Sequence, residues 1–346
     1  MAEFGEDLTQ EFRRGPSVTA LKSGIPTLAR LASLWEQGFR RWNPKSVESD
    51  RPAAEMAVCL AIANPKGGVG KSLTTLMLAD GLALAYGARV LVFDADPQAG
   101  ITQALLGIAA QDDLDRRQIG LGPLLRKWSQ GQNIDLASHC VPAGDLAELR
   151  NRQAGRIDLI PSNHQLLGEI ADIEHAARQI RRRDRLDILL ASALRSAFRK
   201  VQTNYDIVLI DCPAGPGPLG LAALRLARHI LTPTSLEVNS YSTLVGFLQF
   251  ILDDDLDLAS QVKVHPLITQ YHASNTLQRQ MLDHIQQGHY GLNAIGRPIS
   301  YATVLQGAAS HPGAGSFRTA REKYGNSLAD VLGLAHAVVQ RISPAG

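Results

Sequence analysis

The sequence predicts an α/β fold: a mostly parallel, doubly wound sheet flanked by helices on both faces. Three observations predict it. Short apolar runs recur along the chain, stretches with three- and four-residue apolar spacing separate them, and a glycine-rich loop follows the first run. Runs this apolar offer no polar face to water, so both faces of the sheet must be covered.

Composition narrows the class. A chain of 346 residues can bury a large core, and 45% apolar with 20% charged residues excludes wholesale disorder. A net charge of +2 gives no overall pull toward nucleic acid, so any such surface must be a local patch. There is no apolar run of about 18 residues, and the first residues, Met1 to Asp7, lack the basic and apolar regions of a signal peptide. A cytoplasmic protein is expected. Cys59, Cys140 and Cys212 are scattered, which excludes a disulfide framework, a zinc site and an iron–sulfur cluster.

Residues 1–55 form a region of their own. Ile25, Leu28, Leu31, Leu34, Trp35 and Phe39 recur at helical steps, with Pro26 near the first turn. The spacing predicts an amphipathic helix over 25–42, stopped by Asn43 and Pro44, then a polar linker. Its apolar face packs either on the main body or on a partner.

Residues 56–346 carry the predicted α/β domain. Strands are expected at 57–63, 89–94, 156–160, 206–211, 229–233 and 262–269. Helices are expected at 72–86, 186–201, 218–227, 241–252, 275–287 and 326–342. The stretch 109–155 is polar with weak periodicity and is expected to be irregular.

The first strand runs into Asn64-Pro65-Lys66-Gly67-Gly68-Val69-Gly70-Lys71-Ser72, and a helix follows. Strand, glycine loop and helix bring backbone N–H groups and a helix N-terminus together on an anion. An ordinary phosphate loop asks for G-x-x-x-x-G-K-[ST]. Here Pro65 replaces the first glycine, and Lys66 is added to the usual Lys71. A second cation is explained if it crosses to a nucleotide held by a second copy of the chain. A glycine-rich turn that binds nothing would need both motif and context to be accidental.

Two further acids end strands. Asp94 and Asp96 follow the 89–94 run; alone, Asp-x-Asp there is more often a turn or cap than a catalytic pair. Asp211 closes the 206–211 run, where a carboxylate can hold Mg²⁺ beside the Ser72 hydroxyl.

The loop from Lys66 to Ser72, with Asp94-Ala95-Asp96-Pro97-Gln98 some 25 residues on, resembles the deviant Walker A ATPases of the ParA/MinD group, a class of P-loop NTPase. The resemblance extends over about residues 57–343 and is closest to ParA-like partition ATPases. It implies slow hydrolysis of ATP with Mg²⁺. By the same resemblance Lys66, Gly67, Gly68, Val69, Gly70, Lys71, Ser72 and Leu73 hold the nucleotide. Lys66, Lys71 and Asp96 are then catalytic, with Asp96 orienting water; Ser72, Asp94 and Asp211 serve the metal. The implied partners are a second copy in an ATP-bound homodimer, a ParB-like adaptor that stimulates hydrolysis, and non-specific duplex DNA of the nucleoid.

Two departures qualify the likeness. After Asp211 the family's second proline is missing, since the chain reads Cys212-Pro213-Ala214. Where many relatives carry two arginines, the chain reads Ile299-Ser300-Tyr301-Ala302-Thr303-Val304-Leu305. Substitutes for a DNA surface are Arg181, Arg182 and Arg183 in a dense basic run, and Arg297, Arg318, Arg321 and Lys323 later. Such runs are usually solvated faces, and otherwise phosphate contacts. Alternatives are positioning of a non-DNA cargo, a scaffold that binds ATP and barely hydrolyses it, and a MinD-like membrane placement ATPase. The last wants a basic amphipathic tail, and the end of this chain from Ala335 has one basic residue and a proline.

Overall fold

The computed structural model describes residues 57–342, apart from 151–154, 164, 180–185, 216, 253–257, 259–261, 288–292 and 311–316. The predicted helix at 25–42 and its linker lie outside the described residues. In chain order the elements begin β1 (Val58–Ile62), α1 (Lys71–Tyr86), β2 (Arg89–Asp94), α2 (Gly100–Leu106), α3 (Ala110–Arg116) and α4 (Leu121–Ser129). Then come β3 (Val141–Ala143), α5 (Ala147–Arg150), β4 (Arg156–Ile160), α6 (Leu166–Gln179), α7 (Leu186–Val201), β5 (Ile207–Asp211) and α8 (Pro218–Leu226). The chain closes with β6 (His229–Ser235), α9 (Val238–Ile251), β7 (Lys263–Thr269), α10 (Thr276–Gln286), α11 (Thr303–Ala309), α12 (Ala320–Tyr324) and α13 (Leu328–Ile342).

One seven-stranded sheet runs β3-β4-β2-β5-β1-β6-β7. Every pairing is parallel except β3 on β4. The period-two rule of strands sorts the core. Ala61, Leu91, Phe93, Val208 and Ile210 face one side, under α4, α6, α7, α8 and α9. Leu60, Ile62, Val90, Val92, Ile207 and Leu209 face the other, under α1, α2, α11, α12 and α13. Apolar runs with no polar alternation therefore became strands buried on both faces, as expected.

The register places the site. β1 pairs with β5 from Val58↔Ile207 to Ile62↔Asp211, and β2 pairs with β5 up to Asp94↔Asp211. Three adjacent central strands thus end level, and Asn64, Asp94 and Asp211 come together at the carboxyl edge, where such sheets bind ligands. Further along, α1 packs closely on α13. A Cβ on Gly81 would sit 2.8 Å from the carbonyl oxygen of Val331.

The stretch 109–155 corrects its expectation of irregular structure: it holds α3, α4, β3 and α5. Helices of four to nine residues complete too few turns for an apolar period to show. Their order comes from contacts, with Leu121, Leu124, Leu125, Ile134 and Leu136 buried in the core beneath α6.

Candidate functional site

The phosphate loop is built around two left-handed glycines, Gly68 at φ 74° and Gly70 at φ 86°, a region L side chains avoid. Nothing lies within 4 Å of where a Cβ would stand on Gly67, Gly68 or Gly70, so the loop borders open space. Asn64 anchors its start: the side-chain amide donates to the Pro233 carbonyl at 2.8 Å, and Oδ1 accepts from the Lys66 N–H at 2.8 Å. Lys71, the first residue of α1, is buried, and its Nζ donates to the Lys66 carbonyl at 3.3 Å. Ser72 follows it, against Gly100: a Cβ there would come within 2.9 Å of the Ser72 hydroxyl. The loop after β2 therefore lies directly on the loop after β1.

Asp211 is fully buried beneath Ser72. Its Oδ1 accepts from Thr75 Oγ1 at 3.0 Å, whereas Oδ2 has no hydrogen-bond partner. Burial pushes this carboxyl up to about 7; the neighbouring Ser72 and Thr75 hydroxyls and the Lys71 ammonium pull the other way. A buried carboxylate oxygen beside a serine hydroxyl, with no donor of its own, suits a hard cation. The residues present therefore fit Mg²⁺.

Asp94 is equally buried and pushed well above the carboxylate range, by burial and then by the Asp211 charge. Three hydrogen bonds reach its oxygens. Oδ2 accepts from the Thr102 N–H at 3.0 Å and Oγ1 at 2.6 Å, and Oδ1 accepts from the Asp96 N–H at 3.1 Å. Asp94, expected to serve the metal, is thereby tied to the loop that carries Asp96, while Asp211 keeps an oxygen without a donor. Asp96 itself is half-buried, and its Oδ1 accepts from the Gln98 N–H at 2.9 Å.

Lys66 is not idle. Its Nζ donates to Ser240 Oγ at 2.6 Å and Glu237 Oε2 at 3.0 Å within the same chain. The pair is partly exposed, and Lys66 holds the Glu237 carboxyl below its ordinary value, chiefly through that hydrogen bond. Spacing along the sequence could not show this tether, because 171 residues separate the partners. Ser240, Thr269 and Gln270 were missed for the same reason, since each meets the loop from a distant part of the chain. Thr75 and Thr102 lie close to the motifs in sequence but carry no motif signal of their own.

The predicted DNA contacts divide. Arg181, Arg182 and Arg183 lie outside the described residues. Arg318 and Arg321 are exposed; Arg297 is exposed too, and it partly offsets the burial that raises the Asp330 carboxyl. Lys323 is a correction. It is 1% exposed, with Nζ donating to Asp145 Oδ1 at 2.6 Å and Asp80 Oδ2 at 2.7 Å. The Tyr324 hydroxyl also donates to Asp80 at 2.6 Å. A lysine so enclosed ties α12 to α1 and cannot reach a phosphate. Lys323→Ala would leave two buried carboxylates without their cation, a loss of about 3–5 kcal/mol. Thermal unfolding should show a midpoint roughly 10 °C lower. A midpoint within about 2 °C of wild type would show that the cluster adds nothing.

With this geometry in place, comparison with known proteins is decisive. Residues 57–264 match the model of a family described as an AAA domain. The chromosome partitioning protein ParA of Caulobacter vibrioides is 30% identical over 67% of this chain and 76% of its own length. The chain belongs to the ParA-like partition ATPases. The chromosome-partitioning ATPase Soj of Thermus thermophilus is 28% identical over 76% of this chain and 94% of its own. A putative replication protein A of Rhizobium rhizogenes is 29% identical over 79% of this chain, a match that spans 63% of the longer relative. Among solved structures, a putative plasmid partition protein from Borrelia burgdorferi bound to AMPPNP shares the fold, with a TM-score of 0.60 and 20% identity over 83% of this chain and all of that one. This ParA-like chain thus carries the family's P-loop ATPase fold, and no described helix is long and apolar enough to cross a membrane.

Proposed function

We propose that this ParA-like ATPase dimerises on ATP and uses slow hydrolysis to position or segregate DNA, with a ParB-like adaptor stimulating turnover. The observation that carries the reading is the loop with two lysines in different settings. Lys71 is buried against the loop backbone, whereas Lys66 stands at its rim on a partly exposed ion pair. Lys71, the amides of residues 67–72 and the α1 N-terminus bind the phosphates. Lys66 leaves Glu237 and Ser240 to reach the nucleotide of the second copy; an exposed pair costs only about 0–1 kcal/mol to break. Ser72 and Asp211 would hold Mg²⁺, which neutralises developing charge on the phosphates. Asp96 orients the attacking water, and Asp94 with Thr102 keeps its loop in place. A solved structure from Mycobacterium smegmatis, titled cobyrinic acid a,c-diamide synthase and containing ADP and magnesium, supports the ligand pair at 26% identity and a TM-score of 0.53.

A second reading, positioning of a non-DNA cargo by the same cycle, gains support from Lys323, which is buried, and from Tyr301, which occupies one of the relatives' arginine positions. Duplex binding separates the two. Affinity should be greater with ATP than with ADP, insensitive to sequence, and fall steeply with salt as counterions are released. Arg318→Ala with Arg321→Ala, and Arg181→Ala with Arg182→Ala, should each be assayed over a salt series; the pair that lowers the slope marks the contact. Absence of ATP-dependent binding at about 50 mM salt, where phosphate contacts are strong, would favour the non-DNA cargo.

A further inference from the structure

The phosphate loop is braced from outside its own motif. Gln270 Nε2 donates to the Gly68 carbonyl at 2.6 Å, and Thr269 Oγ1 donates to the Val69 carbonyl at 2.9 Å. Both donors stand at the end of β7, some 200 residues further along the chain. They complete a pattern in which the Lys66 carbonyl takes Lys71 Nζ and the Gly70 carbonyl takes the Thr74 N–H. Each peptide is a planar unit whose C=O and following N–H point opposite ways. Pinning the Gly68 and Val69 carbonyls toward β7 therefore turns the Val69 and Gly70 N–H groups away from it, toward the open side of the loop.

Gln270 also has a backbone φ of 54°. A left-handed glutamine is unusual, since glycine takes that conformation without a steric penalty. Strain of this kind persists where the surroundings enforce it, and here the side chain supplies what glycine could not, the amide on Gly68. The same segment is locked to the neighbouring loop, with the Tyr271 N–H donating to the Ile299 carbonyl at 3.0 Å and the Tyr301 N–H to the Tyr271 carbonyl at 2.9 Å. It also lines a small recess beside Gly70, with Leu73, Met77 and Leu305.

We propose that Thr269 and Gln270 are positioning residues, a strut that presets the phosphate loop in its anion-binding conformation before nucleotide arrives. This rests on the nucleotide site proposed above. Binding of MgATP, and displacement of a fluorescent ATP analogue by inorganic tripolyphosphate, test it directly. Gln270→Gly keeps the backbone and removes the amide. It should lose about five- to tenfold in affinity for both ligands, the worth of one hydrogen bond. Its unfolding midpoint should hold or rise as the strain is relieved, an outcome that general structural damage would not give. Thr269→Val should lose affinity for both ligands alike, and Thr269→Ser should restore it.

Three results would overturn the strut. Gln270→Gly could weaken ATP and leave tripolyphosphate unchanged, which would make Gln270 a base contact. It could change neither. Tripolyphosphate could fail to displace the analogue from wild type, since a preset loop must hold phosphate without a base. Failure of wild type to bind ATP at all would instead sink the nucleotide site itself.

Discussion

Lys66→Ala should bind ATP within about threefold of wild type, yet fail to dimerise on it and lose roughly a hundredfold or more in turnover. Binding survives because the loop amides and Lys71 remain, and the bonds lost among the described residues are the partly exposed ones to Glu237 and Ser240. Hydrolysis falls because a cation aimed at charge that develops in the transition state is worth about 10²–10³ in rate. Sedimentation with ATP, alongside phosphate release, measures both arms. Lys71→Ala is the contrasting variant and should lose ATP binding itself. A Lys66→Ala protein that dimerises and turns over normally would remove the case for a shared, two-copy site, and the lysine would then serve only to hold the loop against α9.

Asp96→Ala should accumulate as an ATP-bound dimer with turnover reduced by about 10²-fold or more. Asp96 is the half-buried acid of the three, and apart from the bond its Oδ1 takes from the Gln98 N–H its loop is held by other groups. The Ala95 N–H donates to the Asp211 carbonyl at 2.9 Å, and Thr102 holds Asp94. Removing the carboxylate should therefore leave the cradle intact and the water unoriented. Single-turnover hydrolysis in the preformed ATP complex is the measurement. A rate equal to wild type would place water activation elsewhere, with Asp94 the next acid to test.

Much of this chain is local and so could be read along the sequence. Lys66 to Ser72 requires no distant partner to be recognisable, since spacing alone sets a turn, an anion cradle and a helix start. The strands expected at 89–94 and 206–211 occur at Arg89–Asp94 and Ile207–Asp211 because short unbroken apolar runs suit a parallel strand buried on both faces. The family resemblance legible in the sequence is carried by the same short motifs.

Tertiary structure decided the fate of each charge. Lys323 and Arg321 look alike in sequence, but α12 turns one inward onto Asp80 and Asp145 and the other toward water. Asp94 and Asp211 both end apolar strands, but only Asp211 keeps an oxygen without a donor, because Thr102 reaches Asp94 across the loop. Lys66 meets Glu237, and Gly68 meets Gln270, across the carboxyl edge of the sheet. Periodicity reports which faces are apolar; it carries no information about which residues, 130 to 240 positions apart, the sheet order brings within hydrogen-bond distance. Exposure and pairing set the chemistry of a charged side chain, and both are properties of the packed molecule.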